Sequence, residues 1–286
     1  MSYGPPNASG NAMKHGSELA APSSIDITLR PAPTPEQWGP ARELPDEVAV
    51  AITVNGSTHA VLMATPASLE DFATGFARTE GIVGAVEDIE HVEVVSFENG
   101  LEARLWISED RANTAAARRR AMAGPVGCGL CGIESLEEAM RRVPRVPATG
   151  PMLSRSLAAQ ATALLRSQQR LHIRTGSMHA AGFLVPDRGI VAACEDVGRH
   201  NALDKVVGHV ERMGLTPESG ALVLTSRVSV ELVQKAAMVG CGVIIAVSGP
   251  TALAIRVADE AGITVLGFAR NDSYQCYSHP QRISGH

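Results

Sequence analysis

Cys128 and Cys131 are separated by two residues within Ala123-Gly124-Pro125-Val126-Gly127-Cys128-Gly129-Leu130-Cys131-Gly132. The thiolate is the reactive form of cysteine, and a second thiol at this distance stabilises it, resolves it or shares a metal with it. Gly127, Gly129 and Gly132 interleave the pair, so the backbone is free to expose both sulfurs. Arg118, Arg119 and Arg120 shortly precede the loop and, if near in space, favour thiolate over thiol. The pattern suits a nucleophile that carries sulfur, a redox dithiol, or half of a zinc site. Zinc calls for a second Cys or His pair at recognisable spacing, and Cys194, Cys241 and Cys276 stand singly. A thioredoxin-type dithiol opens a helix directly after a strand, whereas the next helix start here, Ser135, comes four residues after Cys131. Thiol spacing by itself leaves all three chemistries open.

A second constellation lies further along the chain. In an open α/β sheet, ligands collect where strands end and helices begin, because helix N-termini present free N–H groups to anions. Three predicted strand ends carry fitting residues: Thr225-Ser226-Arg227, Ser248-Gly249-Pro250-Thr251 and Arg270-Asn271-Asp272-Ser273. Hydroxyls, a glycine at Gly249 where backbone must come close, and the forks of Arg227 and Arg270 make a cradle for phosphates. His179, Asp196, Arg199 and His200 are polar groups among apolar strands and are candidates for the same pocket. Each has an ordinary alternative as a cap, a turn residue or a satisfied structural side chain. His172 and His209, with no motif around them, are read as structural.

The elements that must position these groups follow from periodicity and turn chemistry. Residues 47–54 read as a strand entering a tight Asn55-Gly56 turn, with residues 59–63 returning. Ser68 and Asp71 read as a capping box, after which Leu69, Phe72 and Phe76 share one face of a helix through about residue 80. Residues 92–97 and 101–107 form a second hairpin around Glu98-Asn99-Gly100. A basic helix-like run, 111–120, leads to the cysteine loop. Ser135-Leu136-Glu137-Glu138 caps a helix with Leu136, Ala139, Met140 and Val143 on its apolar face. Pro144, Pro147 and Pro151 mark a linker. Beyond it come a helix (153–169), a hairpin (179–185 and 189–193) turning at Pro186-Asp187-Arg188, and a helix (201–213). A strand (221–224), a helix (230–239), a strand (243–247), a helix (252–261) and a strand (264–268) complete the series. This alternation predicts an α/β fold with right-handed crossovers and a mainly parallel sheet. The expected organisation is a floppy Gly-, Pro- and Ser-rich tail (1–24), a smaller α+β domain (25–150) ending in the cysteine loop and its helix, and an α/β domain (151–286).

Of the 286 residues, 45% are apolar and 19% charged, which is globular composition. Aromatics are only 3%, so Ala, Val, Leu and Ile must do most of the packing. A net charge of −5 speaks against a nucleic-acid partner. No apolar run is long enough for a membrane span, and the N-terminus lacks the charged-then-apolar order of a secretory signal, so a cytoplasmic location is expected. Five cysteines in a long chain in a reducing compartment argue against a disulfide framework.

Taken together, several motifs resemble the FdhD family of formate dehydrogenase accessory proteins. They are Cys128-Gly129-Leu130-Cys131-Gly132, Arg174-Thr175-Gly176, His179-Ala180-Ala181 and the run from Glu195 through Gly198-Arg199-His200-Asn201 to Lys205. Asn55-Gly56, Ala64-Thr65-Pro66, Leu69-Glu70-Asp71-Phe72 and Glu80-Gly81-Ile82 extend the likeness to the N-terminal half. Thr225-Ser226-Arg227, Ser248-Gly249-Pro250-Thr251 and Gly267-Phe268-Ala269-Arg270 extend it to the C-terminal half, leaving out roughly the first 40 residues.

The resemblance implies a sulfurtransferase that takes persulfide sulfur from a cysteine desulfurase. It would pass the sulfur to the molybdenum bis-molybdopterin guanine dinucleotide cofactor of formate dehydrogenase. Cys128 would be the persulfide carrier and Cys131 its partner or an alternate carrier. The cofactor, which guanine nucleotides would mimic, would meet Phe268, Ala269, Arg270, Asn271, Asp272 and Ser273. Thr225, Ser226, Arg227, Ser248, Gly249, His179 and Arg199 would complete that site. A homodimer with no permanently bound metal is implied as well, as is a cytidine deaminase-like C-terminal domain. Deaminase chemistry itself is missing: it needs a zinc-binding His-x-Glu and a downstream Pro-Cys-x-x-Cys, whereas position 181 is Ala and the cysteine pair lies upstream. Such a fold without its catalytic set points to a repurposed pocket. A zinc or redox regulatory module and a non-catalytic cofactor-binding chaperone are the competing readings.

Overall fold

The computed structural model describes residues 30–31, 42–110 and 143–285. The tail 1–24, the basic run 111–120, the loop bearing Cys128 and Cys131, and the capping box at Ser135 lie outside the described residues. Arg30–Pro31 (β1) and Glu43–Leu44 (β2) pair antiparallel. Val48–Val54 (β3), Ser57–Ala64 (β4), Ile89–Phe97 (β5) and Gly100–Ile107 (β6) form a four-stranded sheet in the order β4-β3-β6-β5. The β3–β4 turn places Asn55 and Gly56 at φ 46° and 76°, the left-handed pair that a type I′ hairpin demands. Asn55 also fastens the turn to β6, its Nδ2 donating to the Ile107 carbonyl at 2.8 Å and its Oδ1 accepting from the Ile107 N–H at 2.9 Å. Val50, Ile52, Val54, Ala103 and Leu105 form one apolar face, covered by Leu69, Phe72 and Phe76 of Leu69–Thr79 (α1).

The predicted capping box does not form. Ser68 sits at φ 51° without a side-chain cap bond, while Asp71 turns outward to His209 Nδ1 (3.0 Å) and Arg212 (2.7 Å). A carboxylate bonded to a guanidinium gains more than one capping a single N–H, so the tertiary partner wins.

The second layer begins with Leu153–Ser154 (β7), where Ser154 caps Arg155–Arg166 (α2) by accepting from the Leu157 N–H at 3.1 Å. Then follow Arg170–Thr175 (α3), His179–Val185 (β8), Gly189–Asp196 (β9) and Arg199–Arg212 (α4). Ala221–Leu224 (β10), Val230–Met238 (α5), Val243–Ala246 (β11), Ala252–Ala261 (α6), Thr264–Arg270 (β12), Ser273–Ser278 (β13) and Ile283–Ser284 (β14) complete the chain. Six strands make a sheet in the order β13-β12-β11-β10-β8-β9. Only β10–β11 and β11–β12 are parallel; β8–β10, β8–β9 and β12–β13 are antiparallel. The sheet is therefore mixed rather than mainly parallel. Helical crossovers carry the chain from edge strand β9 through α4 to β10, then through α5 to β11 and α6 to β12, while it enters through the β8–β9 hairpin and leaves through the β12–β13 hairpin.

Alternate residues of the central strands divide between the faces. Leu222, Leu224, Ile244 and Ala246 pack against α4, α5 and α6, whereas Ala221, Val223, Val243 and Ile245 pack against α2. The result is an α/β/α sandwich whose small side chains let helices lie close to the sheet.

The two sheets are joined through α1 and α4, which cross with their backbones in contact. A Cβ at Gly75 would fall 1.8 Å from the Asp204 carbonyl oxygen, and one at Gly208 would fall 2.0 Å from that of Asp71. Beside this crossing, Asp196 is wholly buried and accepts from Lys205 Nζ (2.6 Å), Asn201 Nδ2 (2.9 Å), the Gly198 N–H (2.7 Å) and the Thr65 N–H (3.0 Å). Lys205 Nζ also donates to the Thr65 carbonyl at 2.8 Å. Lys235 of α5 bridges Glu80 (2.7 Å) and Asp204 (3.0 Å), and Arg78 pairs with Glu211 at 2.9 Å.

Gly208→Ala is expected to lower unfolding free energy by about 2–3 kcal/mol, because the obstructing atoms are backbone and the helices must separate; urea denaturation measures this. Lys205→Met, which strands the Asp196 carboxylate in the core, is expected to cost about 3–5 kcal/mol. Combining it with Asp196→Asn should cost less than the sum of the single changes, since the pair acts as a unit.

Candidate functional site

The parallel strands β10, β11 and β12 end on the same edge of the sheet, and there a cavity of about 630 Å³ opens beneath α2 and α3. Thr162, Arg166 and Gln169 line it from α2 and the turn after it, His172 from α3, and Met178 and His179 from the entry to β8. Thr225, Val247, Arg270 and Asn271 line it from the strand ends. Its wall thus carries two arginines and two histidines and no carboxylate. A cavity of this size with cationic groups and a few apolar side chains suits a nucleotide-sized anion.

Each wall residue has a local cause. The first N–H groups of α3, those of Leu171 and His172, donate to the Glu195 carboxylate at 2.7 and 2.8 Å, which anchors this short helix to β9. His172 Nδ1 lies 3.0 Å from the Met178 carbonyl, so the ring is held across the α3–β8 turn. Gly176 ends α3 at φ 72°, and a Cβ there would fall 1.9 Å from Arg42 Nη1. The Thr225 hydroxyl accepts from the Ala180 N–H at 2.8 Å and so joins the end of β10 to β8.

The end of β12 is irregular. Its register with β13 shifts between Gly267 and Arg270, and Phe268 takes φ 51°, a left-handed conformation that a bulky residue adopts only under constraint. The Phe268 N–H donates to the Ser248 carbonyl at 3.3 Å, and its ring covers Gly249, where a Cβ would meet the ring at 2.8 Å. Ala269 is buried, with its carbonyl accepting from the Thr162 hydroxyl. These two fixings leave Arg270 and Asn271 at the cavity mouth.

Burial, then the charge of Arg199, lowers the pKa of His179, so this imidazole is neutral at pH 7. His200 is pushed down to about 4 by burial, with Arg199 and Lys235 adding to the effect. Arg166 and Arg270 are the cavity wall's permanent cations.

Of the residues singled out from sequence, the cavity gathers His179, Thr225, Arg270 and Asn271. Ser226 is buried, its hydroxyl donating to the Arg227 carbonyl at 2.9 Å, while Arg227 is exposed outside the lining. Ser248, Gly249, Phe268 and Ala269 lie outside the lining, as does Arg199, which begins α4. Asp272 and Ser273 open onto a separate depression of about 510 Å³ with Arg155 and Tyr274. The third strand end is a hairpin turn at Asn271-Asp272 rather than a helix start. Asp196 belongs to the structural lock described above. His172, read from sequence as structural, is both held in place and on the wall. Arg166 and Gln169 escaped the sequence reading, because one looks like the outer face of an amphipathic helix and the other like its frayed end.

Three thiols are described. Burial pushes Cys194 up to about 12 and Cys241 up to about 11, and raises half-buried Cys276 as well. All three are protonated at neutral pH and poor nucleophiles. Among the described residues, no group of three or more His, Cys, Asp or Glu side chains is arranged to hold a metal. No described helix is long and apolar enough to cross a membrane.

Comparison with known proteins bears on the same residues. A profile of the FdhD/NarQ family matches residues 45–284. The sulfur carrier protein FdhD of Agrobacterium fabrum is 46% identical over 242 residues, covering 85% of this chain and 89% of that one. The protein of the same name from Brucella abortus is 48% identical over 243 residues, covering 85% and 90%. A crystal structure described as a formate dehydrogenase accessory protein, from Desulfotalea psychrophila, shares the fold at TM-score 0.67 and 22% identity, covering 85% of this chain and 91% of that one. A match over most of the length, at this identity to several relatives, places the chain in the FdhD/NarQ family.

Proposed function

We propose that this chain is a sulfur carrier of formate dehydrogenase maturation, working in the cytoplasm. It would accept sulfur from a cysteine desulfurase and pass it to a molybdenum bis-molybdopterin guanine dinucleotide, its substrate, before that group serves formate dehydrogenase. In the loading step the Cys128 thiolate attacks the outer sulfur of the desulfurase persulfide. A new S–S bond forms on Cys128, the donor's S–S bond breaks, and the donor cysteine leaves as thiolate. Cys131 is the partner thiol or alternate carrier.

The single observation that carries the substrate half of this reading is the acid-free cavity at the strand ends, with Arg166 and Arg270 facing it. A guanine dinucleotide brings a pyrophosphate, and guanidinium forks pair with phosphate oxygens bidentately. His179, neutral by burial, offers hydrogen bonding to such a ligand and gains a proton more readily once an anion lies beside it. Cys194, Cys241 and Cys276 are unsuited to the sulfur step by their raised pKa, which favours the Cys128–Cys131 pair. A homodimer is part of the same proposal and rests on the family likeness.

Incubation with a desulfurase and cysteine should add one sulfur mass to the peptide bearing Cys128 and Cys131, read by mass spectrometry. The Cys128→Ala, Cys131→Ala double variant should gain none, and loading that persists in it refutes the carrier reading. Arg270→Ala should weaken GDP binding by about 10-fold or more, the scale of one lost charge-assisted hydrogen bond, measured by calorimetry, while leaving persulfide loading intact.

A further inference from the structure

On the outer side of α3 a second depression, of about 690 Å³, adjoins the strand-end cavity and shares Arg166, His172 and Gly176 with its lining. It adds Arg42 and Arg174, so three guanidinium groups line one hollow against a single carboxylate, that of Glu43. Their positions have local causes. Gly176 has no side chain, and a Cβ there would fall 1.9 Å from Arg42 Nη1, so the Arg42 guanidinium lies against the end of α3, close to Arg174. Arg174 is tied to β2 through two of its nitrogens: Nη2 donates to Glu43 Oε1 at 2.8 Å, and Nε lies 2.5 Å from Oε2. That fork is the one a guanidinium offers to phosphate oxygens. Arg42 and Arg166, both exposed, pair with no carboxylate among the described residues. The arginines between the two layers, by contrast, are neutralised, Arg78 by Glu211 and Arg212 by Glu70 and Asp71. In the hollow, three cations against one carboxylate leave an excess of two positive charges, which matches a phosphate dianion.

We propose that Arg42, Arg166 and Arg174 form a phosphate-binding subsite outside the strand-end cavity, in which Glu43 holds the place of the anion until a phosphate displaces it from Arg174. A dianion that engages all three guanidiniums gains more than a monoanion that engages one, so the exchange favours the ligand. Because Arg166 stands between the two hollows, the phosphate belongs either to a separate ligand or to a further arm of the bis-dinucleotide substrate proposed above. Only the second of these sources rests on that proposal.

The test is titration calorimetry on the full chain with inorganic pyrophosphate, first alone and then with the strand-end cavity saturated by GDP. The GDP-loaded chain should bind one pyrophosphate. Arg42→Ala and Arg174→Ala should each weaken that binding by about 10-fold or more, the scale of one lost charge-assisted hydrogen bond, with GDP affinity unchanged. Glu43→Gln should strengthen it by about 2- to 5-fold, the scale of one exposed ion pair, a gain that a merely structural contact between β2 and α3 would not produce. Matching melting temperatures of these surface variants and the wild type check that the fold is intact. Diguanosine tetraphosphate separates the two sources. Binding at least about 10-fold tighter than GDP, and lost in Arg42→Ala, supports the subsite as the seat of a second arm held at high effective concentration; binding no tighter than GDP supports it as the seat of a separate phosphate ligand. Pyrophosphate that fails to bind, that GDP displaces completely, that binds equally well after Arg42→Ala and Arg174→Ala, or that binds more weakly to Glu43→Gln overturns the inference. If GDP does not bind while pyrophosphate binding stays sensitive to Arg42 and Arg174, the subsite stands and the cavity reading falls.

Discussion

Asp196 is a carboxylate with no solvent contact at the last position of β9, and a buried charge persists only where paired and fully hydrogen-bonded. Lys205 neutralises it, and donors from Asn201, Gly198 and Thr65 occupy its remaining acceptor sites. Those partners come from both sides of the molecule: Thr65 follows β4 of the smaller sheet, whereas Lys205 and Asn201 belong to α4. The hydrogen bonding of Asp196 and the docking of the two sheets therefore depend on each other, and the glycine crossing of α1 over α4 is the close approach that makes the distances short enough.

The constraint reaches the cavity through β-sheet register. Asp196 pairs with His179 across the β8–β9 ladder, so fixing one fixes the height of the other on the cavity wall. The adjacent residue, Glu195, points to the opposite face, as strand alternation requires, and there holds the N-terminus of α3 and with it His172. Two consecutive acids on one strand thus serve two layers: one joins the smaller sheet to the larger, and the other carries the helix that roofs the cavity.

How much of this was legible in the sequence depended on whether local chemistry decided the outcome. Asn55-Gly56 and Pro186-Asp187-Arg188 made hairpins where turn preferences alone predict them, and the helix expected over residues 252–261 has those bounds. The three strand ends were legible as a group because hydroxyls, Gly and Arg recur after apolar runs. Where tertiary partners decide, local reading failed. Ser68 and Asp71 have the spacing of a capping box, but Arg212 and His209, distant in sequence, take the carboxylate. Strand direction was also hidden: β13 is polar, and pairing of β8 with β10 is not a local property. Gln169 carried no signal at all, since a helix end that lines a cavity looks like any other helix end until the cavity beside it is built. The family likeness, by contrast, was carried by short motifs that needed no folding to recognise.

Charge in this molecule is organised by burial rather than by composition. The chain is acidic overall, at −5, yet the cavity wall holds arginines and no carboxylate. The acids are engaged elsewhere, Asp196 with Lys205, Asp204 and Glu80 with Lys235, Glu211 with Arg78, and Asp71 with Arg212. The ion pairs that hold the layers together therefore also keep carboxylates off the cavity wall, leaving a local field attractive to phosphate on a protein that repels it at long range. Sulfur follows the same logic. The described thiols lie in or against apolar layers that hold them protonated, so the packing that stabilises the sandwich also keeps them poor nucleophiles. A single fold thereby separates a cavity wall that attracts anions from thiols that burial keeps silent.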